Sequence, residues 1–133
     1  MQNLIKSLLE SKQLLVISII YSVFITIIFL IPTNEMPKLL HFLIPIDKII
    51  HVFIFLALTF LWLSYINSLL NNTKPIVLFF IMVVCLLYGI LIEVIQEFYV
   101  LSREAEVFDV IADLIGVSLG LLFFRNYKNR ITS

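Results

Sequence analysis

Four long apolar stretches, separated by short polar connections, constrain the fold of this chain more than any other feature. They cover residues 14–31, 49–66, 76–98 and 107–124. Each is close to the roughly 20 residues that a helix needs to cross about 30 Å of hydrocarbon. The first and third contain long runs without a charge, whereas the second and fourth carry ionisable residues near their starts. The pattern predicts an all-α protein, a four-helix polytopic transmembrane bundle with short loops.

The composition supports membrane integration. Of the 133 residues, 62% are hydrophobic and 14% are charged, and the mean hydropathy is +1.11. A soluble domain has about 25% charged residues, and a soluble chain this apolar would be unable to cover its surface. The nine basic and nine acidic residues balance, so no positive excess attracts nucleic acid. The single cysteine, Cys85, excludes a disulfide within the chain.

The connections between the stretches are short, and the first contains helix breakers. Residues 32–48 include three prolines, the last of them Pro45, and proline interrupts a helix because it lacks a backbone N–H. Two polar connections follow at 67–75 and 99–106. The length suits a single transmembrane domain over residues 1–133.

The distribution of lysine and arginine predicts that both termini lie in the cytoplasm. In that orientation the inner side holds Lys6, Lys12, Lys74, Arg125, Lys128 and Arg130. The outer side then holds Lys38, Lys48 and Arg103. Cytoplasmic connections carry an excess of basic residues, and six against three favours this orientation.

Polar residues cluster at one end of the predicted bundle. Because successive spans alternate in direction, the start of the second, the end of the third and the start of the fourth lie on the outer side. The residues placed there are Asp47, Lys48, His51, Glu93, Gln96, Asp109 and Asp113, with Arg103 in the adjacent connection. The first stretch has no charged residue and is expected to contribute only apolar surface. Placing ionisable groups within a membrane costs free energy, and such groups are usually functional. We therefore predict a ligand site in this layer.

Helical spacing places small residues on the same faces as these polar groups. Gly89 lies on the face of Glu93, and Gly116 and Gly120 continue the face of Asp113, because residues three and four apart are neighbours. Small residues let membrane helices approach closely. We therefore predict that the three glycines are packing positions and that the polar faces meet inside the bundle.

Four kinds of chemistry are compatible with these residue types. His51 with Glu93 or Asp109 is suited to general acid–base work on a lipid-linked substrate. The same residues with Asp113 offer donors for a divalent ion that holds a phosphate, although no tight metal-ligand motif is present. The basic residues of the layer are suited to binding an anionic headgroup. Its carboxylates are suited to carrying protons or ions. The sequence leaves the identity of any metal or cofactor open.

Three segments around the layer resemble the VanZ-like membrane protein family, which is named for teicoplanin resistance. They are DKIIHVFIFLAL at 47–58, YGILIEVIQEF at 88–98 and DVIADLIGVSLG at 109–120, with Arg103 between the last two. The family pattern is Asp-Lys-x-x-His, then Gly-x-x-x-Glu-x-x-Gln, then Arg, then Asp-x-x-x-Asn followed by glycines. Two features depart from it: no proline precedes the arginine in FYVLSR, and Asp113 stands where asparagine is usual.

The resemblance implies an envelope-associated protein of the bacterial cytoplasmic membrane, and it supplies no reaction. We predict that the outer-leaflet layer binds or processes an anionic lipid headgroup or a lipid-linked cell-wall precursor and affects susceptibility to teicoplanin-type antibiotics. The candidate acid–base or ligand groups are His51, Glu93 and Asp109, and the candidate substrate-binding groups are Asp47, Lys48, Gln96, Arg103 and Asp113. The alternative is a non-catalytic partner subunit of a membrane complex, in which the cluster only joins helices. The oligomeric state is left open.

Overall fold

The computed structural model of the chain describes residues 2–32, 44–70, 73–100 and 106–132. These residues form α1 (Gln2–Leu30), α2 (Ile44–Leu70), α3 (Pro75–Tyr99) and α4 (Val107–Thr132), and no strand occurs among them. Each helix contains a segment that is long and apolar enough to cross a membrane. The predicted all-α, four-helix transmembrane architecture is confirmed, and the chain is a multi-pass membrane protein.

The helices are longer than the apolar stretches that predict them. α1 begins at Gln2 rather than near residue 14, and α4 continues through the basic tail to Thr132. Lysine, arginine and glutamate are good helix formers, so helices continue beyond the apolar segment into the interface. Pro45 lies in the first turn of α2 and not in a loop, because a first-turn N–H has no partner within the helix.

The closest helix pair is α2 with α4, and two glycines permit it. A Cβ atom on Gly116 would overlap the Val52 carbonyl oxygen, and one on Gly120 would lie 2.7 Å from the Leu56 carbonyl oxygen. Because neither glycine has a Cβ atom, the two helix backbones are able to touch, as they do at small residues between membrane helices. α1 packs mainly on α2, and α3 packs mainly on α4.

Buried side chains from all four helices meet between them, while apolar side chains also cover the outside. The buried cluster consists of Ile25, Phe29, Phe55, Leu58, Cys85, Ile92 and Val117. Large residues such as Phe79 and Phe98 are 63% and 75% exposed. An apolar outer surface of this kind matches the hydrocarbon of a bilayer, which has no hydrogen-bonding partners to offer.

A network of hydroxyl groups joins α1 to α2 and α3 in the middle of the bundle. The Tyr88 hydroxyl donates to the Ser22 carbonyl at 2.8 Å and also contacts the Thr26 hydroxyl at 2.5 Å. The Trp62 N–H donates to the Ser22 hydroxyl at 3.2 Å. The expectation that the first helix contributes only apolar surface is therefore wrong. Ser18, Ser22 and Thr26 are spaced by four residues, and this polar stripe was the available sequence signal.

Candidate functional site

The predicted polar residues meet where α2 and α4 begin and where α1 and α3 end. Three contacts fix this arrangement. His51 on α2 bonds Asp113 on α4, Gln96 on α3 bonds the α1 backbone, and the backbone of Glu106, just before α4, bonds Glu93 on α3. The antiparallel order of the helices thus brings groups that are distant in sequence into one layer. We call Asp47, Lys48, His51, Glu93, Gln96, Glu106, Asp109 and Asp113 the polar layer.

A buried imidazole–carboxylate pair forms the centre of the polar layer. The Nδ1–H of His51 donates to Oδ1 of Asp113 at 2.8 Å, and each side chain is 1% exposed. The imidazole also packs against the ring of Phe29, with 4.5 Å between ring centroids. Asp113 lies against Gly89 so closely that a Cβ there would be 2.5 Å from Oδ2. The bond, the ring contact and the burial together hold the imidazole in one orientation.

The ammonium group of Lys48 bridges two carboxylates near the surface of the polar layer. It bonds Asp109, whose side chain is 10% exposed, and Glu106, whose side chain is 54% exposed. Lys48 is thus already neutralised by the protein. Glu106 is not among the predicted site residues, yet it contributes both this carboxylate and a backbone N–H to the polar layer. No periodicity pointed to it, because Glu106 precedes the helix.

Glu93 is buried with half of its carboxylate unpaired. It is 3% exposed, and Oε2 accepts the backbone N–H of Glu106 at 3.3 Å. Oε1 has no hydrogen-bond partner among the described residues. The carboxylate lies within electrostatic reach of His51, Asp109 and Asp113. The bonding partner of His51 is nevertheless Asp113 rather than Glu93, because the glycine contact brings α4 closest to α2.

Gln96 makes a bond that joins two helices. Its side-chain N–H donates to the carbonyl oxygen of Phe29 at 2.6 Å, and the amide is 3% exposed. Phe29 lies in the last turn of α1, where carbonyl groups have no donor within the helix. The amide of this predicted substrate-binding residue is thus engaged in capping α1.

Two acids and the histidine form a tighter group at the start of α2 and α4. One oxygen each from Asp47 and Asp109 and one ring nitrogen of His51 lie within 4.8 Å of one another. Asp109 and His51 are buried and Asp47 is half-buried, so the group begins inside the bundle and opens toward its end. Carboxylate and imidazole groups are common ligands of divalent transition-metal ions.

The charges of the polar layer are predominantly negative. Five carboxyl groups face one ammonium and one imidazole: Asp47, Glu93, Glu106, Asp109 and Asp113 against Lys48 and His51. Arg103, the other predicted cation, lies outside the described residues. An anionic headgroup therefore needs a further positive charge to approach this layer.

Comparisons of the chain with models of known protein families, with curated proteins and with solved structures find no match.

Proposed function

We propose that the chain is a VanZ-like protein of the bacterial cytoplasmic membrane whose polar layer binds or processes the headgroup of an anionic lipid or a lipid-linked cell-wall precursor. The observation that supports this most strongly is the buried His51–Asp113 pair, which orients an imidazole toward two further carboxylates. Several ionisable groups at one end of a membrane bundle are costly to bury, and such groups usually serve ligands or ions.

The orientation of the chain decides which leaflet the polar layer meets. Six lysine and arginine residues lie beside the spans on the side of the termini, and three lie on the other side. The positive-inside rule favours cytoplasmic termini. The polar layer then faces the outer leaflet.

The chemistry of the polar layer suits a polar headgroup. The Asp113 bond orients the His51 imidazole at the centre of the polar layer, beside which a headgroup hydroxyl or phosphate would lie. Lys48 is held by Asp109 and Glu106, so it does not serve as a free anchor for an anion. Arg103, in the connection between α3 and α4, supplies a guanidinium suited to phosphate.

Growth of a bacterial host in teicoplanin tests this proposal. Expression of the wild-type chain is expected to raise tolerance, and Glu93→Gln and Arg103→Ala are expected to abolish the increase at normal protein levels. The matched control is Glu97→Gln, which removes the same charge from an exposed position four residues along α3 and is expected to behave as wild type.

Immunoblots of the membrane fraction accompany the growth measurements. If Glu93→Gln and Arg103→Ala accumulate normally and keep full tolerance, the proposal is wrong. If both variants disappear from the membrane while Glu97→Gln persists, the polar layer joins helices, and the partner-subunit alternative accounts better for the chain.

A further inference from the structure

We propose that Asp47, His51 and Asp109 bind a divalent transition-metal ion, with Glu93 beside it, and that this ion adds positive charge for an anionic headgroup. The inference rests on the proposed function for the use of the ion, but not for its binding. The described part of the polar layer has an acidic excess, which makes it a poor anion site and a suitable cation site.

The distances suit a single ion after small side-chain rotations. Nitrogen and oxygen ligands lie about 2.0–2.2 Å from zinc, so donors around one ion are roughly 3–4 Å apart. The donor atoms of Asp47, His51 and Asp109 already lie within 4.8 Å of one another. Asp47 is only half-buried, so a rotation of its side chain toward the other two does not require repacking of a fully buried group.

The bond between His51 and Asp113 is of the kind that orients a metal-binding histidine. A histidine that binds metal through one nitrogen generally donates its other N–H to a carboxylate or a carbonyl group. Nδ1 of His51 is bonded to Asp113 at 2.8 Å, and this leaves Nε2 for the ion. Burial of both side chains fixes the ring and its proton before the ion arrives.

Glu93 provides an independent indication that a cation belongs here. The residue is 3% exposed, and Oε1 has no hydrogen-bond partner among the described residues. It lies within electrostatic reach of His51 and Asp109, two of the three ligands. A buried carboxylate with an unsatisfied oxygen is costly, and a nearby dication relieves that cost.

Lys48 is the counter-ion of the metal-free form. Its ammonium group bonds Asp109 and Glu106, and the side chain is 26% exposed. A flexible, partly exposed lysine is able to swing toward water when an ion takes its place at Asp109. Lys48 and the ion therefore compete for the same carboxylate, and removal of the ammonium group strengthens binding.

The donor set selects the class of ion. Mg²⁺ and Ca²⁺ prefer oxygen ligands, and Ca²⁺ takes six to eight of them. An imidazole with two carboxylates suits Zn²⁺, Mn²⁺ or Fe²⁺ better. Mn²⁺ is the convenient probe, since its electron paramagnetic resonance distinguishes free from bound ion and reports nitrogen ligands.

The test is a Mn²⁺ titration of the purified full chain in detergent, followed by paramagnetic resonance. The wild type is expected to bind one ion with a nitrogen coupling from His51, and tenfold excess Mg²⁺ leaves it bound. His51→Gln removes the nitrogen coupling, and Asp109→Asn weakens binding by more than about 10-fold, as loss of a metal-site group does. Lys48→Met binds more tightly than wild type, whereas the exposed control Glu97→Gln is unchanged.

Circular dichroism and size-exclusion chromatography identify any variant that fails to fold. If Asp109→Asn does not fold, Lys48→Met still tests the site, because its binding is expected to be tighter than that of the wild type. Absence of Mn²⁺ binding by the folded wild type would overturn the cation site. So would unchanged affinity in His51→Gln and Lys48→Met. Because the titration uses the ion alone, that failure leaves headgroup binding standing, whereas normal ion binding without any effect on teicoplanin tolerance counts against the proposed function only.

Discussion

Asp113→Leu is expected to lower the free energy of unfolding by about 3 kcal/mol, because it leaves the buried Nδ1–H of His51 without an acceptor. Both side chains of the pair are 1% exposed, so water does not replace the lost carboxylate. Leucine is also bulkier at the point where Asp113 contacts Gly89. The measurement is unfolding in mixed detergent micelles, followed by the fluorescence of Trp62, the only tryptophan in the chain.

The matched variant is Asp113→Asn, which keeps an oxygen acceptor for His51. Its expected loss is about 1 kcal/mol, since it replaces a bond to a charged acceptor by a bond to a neutral one. Equal losses from leucine and asparagine would show that the charge of Asp113, rather than its hydrogen bond, maintains the fold. No loss from either would mean that the pair is not formed.

Gly116→Ala is expected to lower the free energy of unfolding by about 2–3 kcal/mol, as overpacking does in a close-packed interior. The added Cβ would overlap the Val52 carbonyl oxygen and lie 2.9 Å from Cβ of Phe55. A backbone carbonyl is unable to rotate away as a side-chain end does, so α2 and α4 must separate. The same unfolding assay measures the change.

Ser118→Thr is the control for Gly116→Ala. It adds one methyl group to the same helix at a partly exposed position, where the serine hydroxyl bonds the Leu114 carbonyl. Threonine makes the same bond, so its stability is expected to stay close to wild type. If Gly116→Ala is as stable as this control, the backbone contact between α2 and α4 does not hold the bundle together.

The four helices were predictable because few backbone structures are stable in a lipid bilayer. A bilayer supplies no hydrogen bonds to the backbone, so apolar stretches of spanning length become helices. The alternation of helix direction also predicted that the polar residues lie at one end of the bundle. Hydropathy did not predict the helix ends, since Pro45 is tolerated in a first turn and the basic tail continues α4 beyond the apolar stretch.

The pairing of side chains within the polar layer was less accessible from sequence. Spacing by four residues places His51 and Asp113 on definite faces, but it does not set how each helix is rotated toward its neighbours. That rotation follows from the glycine contact of α4 with α2, and it brings Asp113 rather than Glu93 to His51. The partner of Gln96 is the backbone of Phe29, and a backbone carbonyl leaves no sequence signal.

Headgroup binding by the polar layer is tested most directly by native mass spectrometry of lipid retained by the purified chain. The wild type is expected to keep a phosphate-bearing lipid through detergent exchange, and Glu97→Gln is expected to keep as much. His51→Gln should retain about tenfold less, which corresponds to about 1.4 kcal/mol of binding free energy. Equal retention by all three proteins, or no phosphate-bearing lipid on the folded wild type, would contradict the account.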